Sequence, residues 1–129
     1  MILWLLLALA APCEGAESAL AQRNCYGHLA QDTDREMAAQ WKTTLAEMRR
    51  RNAENRREKL NSPDMVQSLL DSQRAWLRYR DAQCSMVSDQ AGGGTGRGDL
   101  DNRCRIQLNR QRAMDLRQRA SWNILLRTP

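Results

Sequence analysis

The sequence predicts an all-α protein, built as an antiparallel hairpin of two long helices with a third helix docked on it by a disulfide. Three observations carry this expectation. The 129 residues include no Phe and three Pro, and β-branched residues are few, whereas the strong helix formers Ala, Leu, Arg, Gln, Glu and Met dominate. Apolar residues recur at intervals of three and four, the period of a helix face. A single glycine-rich run, Gly92-Gly93-Gly94-Thr95-Gly96-Arg97-Gly98, punctuates an otherwise helical chain. With 42% apolar and 27% charged residues, the length suits one core and one domain.

The first helix is expected from Arg23 or Gln31 to Lys59, because Tyr26, Leu29, Thr33, Met37, Trp41, Leu45 and Met48 share one face. Asn61-Ser62-Pro63-Asp64 then stops one helix and starts the next, with Ser62 as cap and Pro63 at the first helical position, where its missing N–H is harmless. The second helix carries Val66, Leu69, Gln73, Trp76, Arg80, Cys84 and Val87 on one side and ends in the glycine run. Asp99 to Asn102 offer caps for the third, whose stripe is Cys104, Leu108, Arg112, Leu116, Ala120 and Ile124. No internal repeat is present.

Ahead of these helices, Ile2 to Ala11 is an apolar run too short for the roughly 18 to 20 residues that span a bilayer, and no transmembrane span is expected. It fits the apolar region of a secretory signal, with small residues for cleavage at Ala8-Leu9-Ala10, Cys13-Glu14-Gly15 and Ala19-Leu20-Ala21. The expected division is a signal peptide over 1–21 and a mature domain over 22–129, periplasmic or secreted. No Lys or Arg precedes the run, so a buried first helix is the alternative reading. Leu9-Ala10-Ala11-Pro12-Cys13 is similar to a lipoprotein processing site, but Pro before the Cys removes a backbone N–H, and lipid on Cys13 is not the favoured outcome.

Cleavage after Ala21 removes Cys13 and leaves Cys25, Cys84 and Cys104, which in an oxidising compartment means one pair and one leftover thiol. Cys84 and Cys104 are the expected pair. They bracket the glycine run, and closing a loop of about 20 residues contributes about 3 kcal/mol in the chain-entropy account. No metal or cofactor is expected: there is no CxxC, and His28 is the single imidazole.

The formal charge is +5, and loss of Glu14 and Glu17 with a leader makes the mature chain more basic. Basic residues from Arg49 to Lys59 and from Arg103 to Arg119 are interspersed with Glu, Asp and Gln and lack aromatic interleaving, which argues against nucleic acid. An anionic envelope polymer is a partner such a surface suits. No serine stands in a glycine elbow, and no imidazole pair or perturbed carboxylate pair is apparent, so the chain does not read as an enzyme.

The informative anomaly is polar residues inside apolar stripes. Gln73, Arg80 and Arg112 fall in register with hydrophobic neighbours, and Asp34 lies one turn before Met37. Buried ions need partners, so at least one interhelical contact is expected between Asp34 or Asp81 and Arg80 or Arg112.

Gln73-Arg74-Ala75-Trp76-Leu77-Arg78-Tyr79-Arg80-Asp81-Ala82-Gln83-Cys84 resembles the QxxWxxxRDxxC signature of the LprI-like lysozyme inhibitors, small secreted bacterial proteins. Around it, Cys25, the run Asp34, Met37, Trp41 and Leu45, the glycine-rich linker, Cys104 and Arg112 follow in the matching order, over roughly residues 22 to 119. Met37 and Trp41 stand where the family more often has Leu and Tyr. The resemblance implies a periplasmic or envelope-tethered helical protein that inhibits a lysozyme-type muramidase and has no catalysis of its own. Such a muramidase cleft contains two carboxyl groups, and Arg97 on the glycine-rich loop is the residue expected to plug it. Host lysozymes are commonly basic, so the net charge opposes their approach. Trp122, Ile124, Leu125 and Leu126 form a candidate dimer patch, and a monomer is the default expectation.

Overall fold

A computed structural model describes residues 13–121, so Ile2 to Ala11, with the candidate signal, and the terminal patch from Trp122 lie outside the described residues. The described chain is all helical: α1 spans Ala19–Arg57, α2 Met65–Asp89 and α3 Arg97–Ser121. No described helix is long and apolar enough to cross a membrane.

Local chemistry sets each boundary. Ser18 caps α1 by accepting from the Ala21 N–H at 3.1 Å, which starts the helix earlier than the apolar stripe suggests. At its other end Leu60 N–H reaches Asn55 O at 2.8 Å and Lys59 N–H reaches Arg56 O at 3.2 Å. That pair of bonds is a Schellman ending, with Lys59 in the left-handed position at φ 54° where glycine is usual. The cap of α2 is Asp64 and not Ser62, and the helix starts at Met65, two residues after Pro63. The reason is competition: Asp64 accepts from Gln67 N–H at 3.0 Å, while the Ser62 hydroxyl is taken by Asn55 Nδ2 at 2.8 Å. Asn52 pins the same turn by donating to Asp64 and accepting from Met65 N–H.

The glycine run makes the second turn, with Gly92 at φ 60°. Here α3 begins at Arg97, ahead of the expected caps, since Leu100 N–H already bonds Gly96 O at 3.1 Å. Asp99 therefore sits in the first turn, where its charge complements the helix dipole. Arg97 is thus the first residue of a helix and not the tip of a loop.

The chain runs up, down and up. Arg23 lies beside Asp99 and Arg51 beside Ala120, so α1 and α3 are parallel, and Asn52 against Asp64 makes α2 antiparallel to both. The α1–α3 interface is the most extensive of the three, so α3 is a full wall of the bundle. Tyr26, Ala30 and Ile106 form one buried cluster, and Met37, Leu45, Met48, Cys84 and Leu116 are buried along the bundle. The α1 face matches the expected stripe, except that Leu29 and Trp41 are half-buried while Ala30, Thr44 and Arg51 are buried. On α3 the buried set is Ile106, Asn109, Arg112 and Leu116, so Arg112 and Leu116 of the expected stripe are buried, while Cys104 and Leu108 are half-buried.

Cys84 and Cys104 are disulfide-bonded, joining α2 to α3 as expected. With Cys13 present in the chain, Cys13 pairs with Cys25 and no free cysteine remains among the described residues. Cys13 packs into the Tyr26, Ala30 and Ile106 cluster and is itself buried.

Candidate functional site

The signature residues lie three and four apart on α2, so Gln73, Trp76, Arg80 and Cys84 share one face, turned to α1 and α3. Each is engaged by another helix. The Gln73 amide donates to the Met37 sulfur at 3.3 Å and accepts from Arg112 Nε at 3.0 Å, tying α2 to both neighbours. Arg112 completes its set with the Ser72 hydroxyl at 2.9 Å and Asp115 Oδ2 at 2.9 Å. Arg80 donates to Asp34 at 2.6 Å and to Asn109 Oδ1 at 3.1 Å. Trp76 lies under both guanidinium groups, 5.3 Å from Arg80 and 5.7 Å from Arg112, a geometry in which the ring face attracts the cations.

Asp81 points to the adjacent side and holds Arg105 of α3 at 2.9 Å and Arg80 at 3.1 Å. Burial raises its pKa, but hydrogen bonds from Arg80 and Arg105 outweigh that and hold its carboxyl below the usual range. Arg112 goes the other way: burial depresses its guanidinium, and Asp115 recovers only part of the loss. The expected interhelical ion pair is therefore Arg80 with Asp34, while Asp81 bridges α2 to α3 and Arg112 takes Gln73 and Ser72 as its cross-helix partners.

Reading the sequence missed a second polar seam. Asn109 is 1% exposed and donates to Thr33 Oγ1 at 3.3 Å while accepting from Arg80. Thr44 is fully buried and donates to Leu116 O at 2.9 Å. Arg51 donates to Ala120 O at 2.6 Å and to Glu47 at 2.8 Å. Hydrogen bonds from Arg50 and Arg51, against a smaller opposing effect of burial than that of Arg50, lower Glu47 to about 2.

Arg97 does not join this network. Its guanidinium closes back on Asp89 at 2.6 Å and on Gly92 O at 3.4 Å, bracing the glycine turn at the surface. Among the described residues no group of His, Cys, Asp and Glu could hold a metal ion. Three open grooves flank the network. One of about 570 Å³ runs between α1 and α3 and is walled by Gln31, Asp34, Arg35, Asp101 and Arg105. A second, of about 480 Å³ and more apolar, lies between α1 and α2 at Met37, Trp41, Leu70 and Leu77. The third, of about 470 Å³, opens at Arg51, Ser72, Arg112 and Arg119.

Charge is divided along the bundle. The contact of Gln73 with Met37 and Arg112 marks a level across all three helices. Beyond it, residues 38–73 and 112–121 hold ten Lys and Arg against six Asp and Glu. On the other side, residues 13–37 and 74–111 hold nine of each sign. The positive surplus of the described residues thus belongs to one end, and the end with both disulfides is neutral, with Asp32, Asp34 and Glu36 on the exposed side of α1.

A family model described as "Lysozyme inhibitor LprI" matches residues 11–116. An uncharacterized protein of Rhizobium meliloti (strain 1021) is 36% identical over 53 residues, which cover 41% of this chain and 38% of that protein. The match thus spans well under half of the relative's length. No solved structure matches the chain.

Proposed function

Because the chain belongs to the LprI lysozyme inhibitor family, we propose that it binds and inhibits a lysozyme-type muramidase in the periplasm or at the envelope, with no catalysis of its own. Family membership carries the reading, and the division of charge removes its main physical objection. A net charge of +5 opposes a basic muramidase only if the surplus faces it. With Glu14 and Glu17 retained, the disulfide-bearing end has no net charge and presents Asp32 and Glu36, so approach from that end meets less repulsion than approach from the other. The signature residues contribute by holding the helices, and Arg97, already closed on Asp89, is less suited to plugging a cleft than an extended loop arginine.

A second reading rests on the other end. Ten basic against six acidic residues there suit an anionic envelope polymer, with α3 supplying the exposed Arg117 and Arg119. One experiment separates the two. The oxidised protein is titrated into peptidoglycan lysis by a panel of muramidases at low and physiological salt, beside an Asp32→Lys, Glu36→Lys double variant and an Arg56→Glu, Arg57→Glu double variant. The inhibitor reading expects dose-dependent inhibition that the first variant weakens and the second spares. Absence of inhibition across the panel overturns it, and salt-sensitive binding to anionic polymer lost in the second variant then supports the other.

A further inference from the structure

Where an exported chain is cut decides which of its cysteines survive. The sequence offers three small-residue cleavage sites, ending at Ala10, Gly15 and Ala21. Two of them discard Cys13. The structure gives Cys13 a place that a discarded residue does not have: it is 2% exposed, bonded to Cys25, and packed in one cluster with Tyr26, Ala30 and Ile106. A cut after Gly15 strips that packing from the α1–α3 interface and breaks up the Cys13–Cys25 disulfide, while Cys84 and Cys104 remain bonded to each other. A cut after Ala21 removes in addition the Ser18 cap and the first residues of α1.

We propose that the leader is cut between Ala10 and Ala11, and that Cys13 enters the mature protein as half of a structural disulfide and not as a lipid attachment site. In the first step water adds across the Ala10–Ala11 peptide bond, leaving a carboxylate on Ala10 and an ammonium on Ala11. In the second the Cys13 and Cys25 thiols lose two protons and two electrons to a protein disulfide, which is reduced to a dithiol through a mixed-disulfide intermediate. Lipidation of Cys13 forms a thioether at the same sulfur, so the disulfide and the lipid exclude one another. The oxidant required is a property of the exported compartment and rare in the cytosol.

The test uses the full 129-residue chain made in a bacterium with a working secretion pathway. Envelope material is alkylated in denaturant and digested with trypsin without reduction. No Lys or Arg lies between Ala11 and Arg23, so the expected product is the peptide Ala11–Arg23 joined to Asn24–Arg35 and released from it by reductant. The intact mass is expected to begin at Ala11, to lack four hydrogens for the two disulfides, and to carry no acyl group. An amino terminus beyond Cys13, an alkylated Cys25, a diacylglyceryl thioether on Cys13 or a chain that keeps residues 1–10 overturns the proposal.

Discussion

Replacing Arg112 by Met tests whether the signature face holds the helices together. Arg112 is 8% exposed and gives up three side-chain hydrogen bonds on substitution, to Gln73, Ser72 and Asp115. Ser72 and Asp115 are accessible enough for water to replace the donor, but Gln73 is buried, and its Oε1 is left without a partner. A stranded buried acceptor costs roughly 1–3 kcal/mol, and a lost guanidinium over Trp76 adds up to about 1 to 2 kcal/mol. Against this, the guanidinium no longer has to be desolvated, and Met fills most of its volume, so the net expectation is a loss of about 3 kcal/mol. For a domain of about 100 residues that lowers Tm by about 12 °C. The second arm adds Gln73→Leu. When both polar partners are replaced by apolar ones, no acceptor is stranded, and the double variant is expected to be more stable than Arg112→Met alone. Urea unfolding with disulfides intact supplies the free energies, because such small oxidised domains unfold in a two-state manner. A single variant within about 0.5 kcal/mol of the parent, or a double variant at the sum of the two singles, would refute the reasoning.

Replacing Cys84 and Cys104 together by Ser opens a loop of 20 residues and is expected to cost about 3 kcal/mol, read from the same urea curves. Thr44→Val keeps the shape but removes the buried bond to Leu116 O, and a loss of about 1 kcal/mol is expected by thermal unfolding. Glu47 is depressed from 4.5 to about 2, so its contribution is fully present above about pH 4.5 and is lost as pH falls through about 2. The stability gap between the parent and Glu47→Gln should therefore close across that window, and a gap that stays constant over it contradicts the assignment.

The helices were legible because their period and composition agree, and the polar network was legible where its members are large and charged. Gln73, Arg80 and Arg112 stand out in an apolar stripe because nothing of that size and polarity belongs there without a partner. Asn109, Thr33 and Thr44 do not stand out, since small polar residues are ordinary on any helix. The α3 stripe was legible only in its second half for a related reason: Arg112 and Leu116 are buried as expected, but before them Ile106 and the small polar Asn109 are buried and Cys104 and Leu108 are half-buried. Ser62 looked the better cap because it precedes Pro63, and only the structure shows Asn55 claiming its hydroxyl. The bond of Cys13 to Cys25 was not legible, because the sequence places Cys13 next to a candidate leader and gives no sign of the cluster it packs into.

What the signature encodes bears on how the family's activity should be sought. Gln73, Trp76, Arg80 and Cys84 are each consumed by contacts among the three helices, and Asp81 is held by Arg80 and Arg105. A residue spent in this way fixes the bundle and leaves little of itself for a partner. The signature therefore identifies a scaffold, on which target choice must come from side chains that the scaffold leaves exposed. In this chain those side chains are partitioned by charge along the bundle, and the partition is carried by the first segment: residues 13–37 hold two basic against five acidic residues, and residues 38–57 six against two. Residues 97–111 and 112–121 of α3 each hold two more basic than acidic residues, so α3 adds equally to both ends. The network thus shapes the surface at one remove: by holding α2 and α3 against α1 it keeps the acidic and basic halves of that helix at opposite ends of the bundle, and an incoming partner meets a different charge at each.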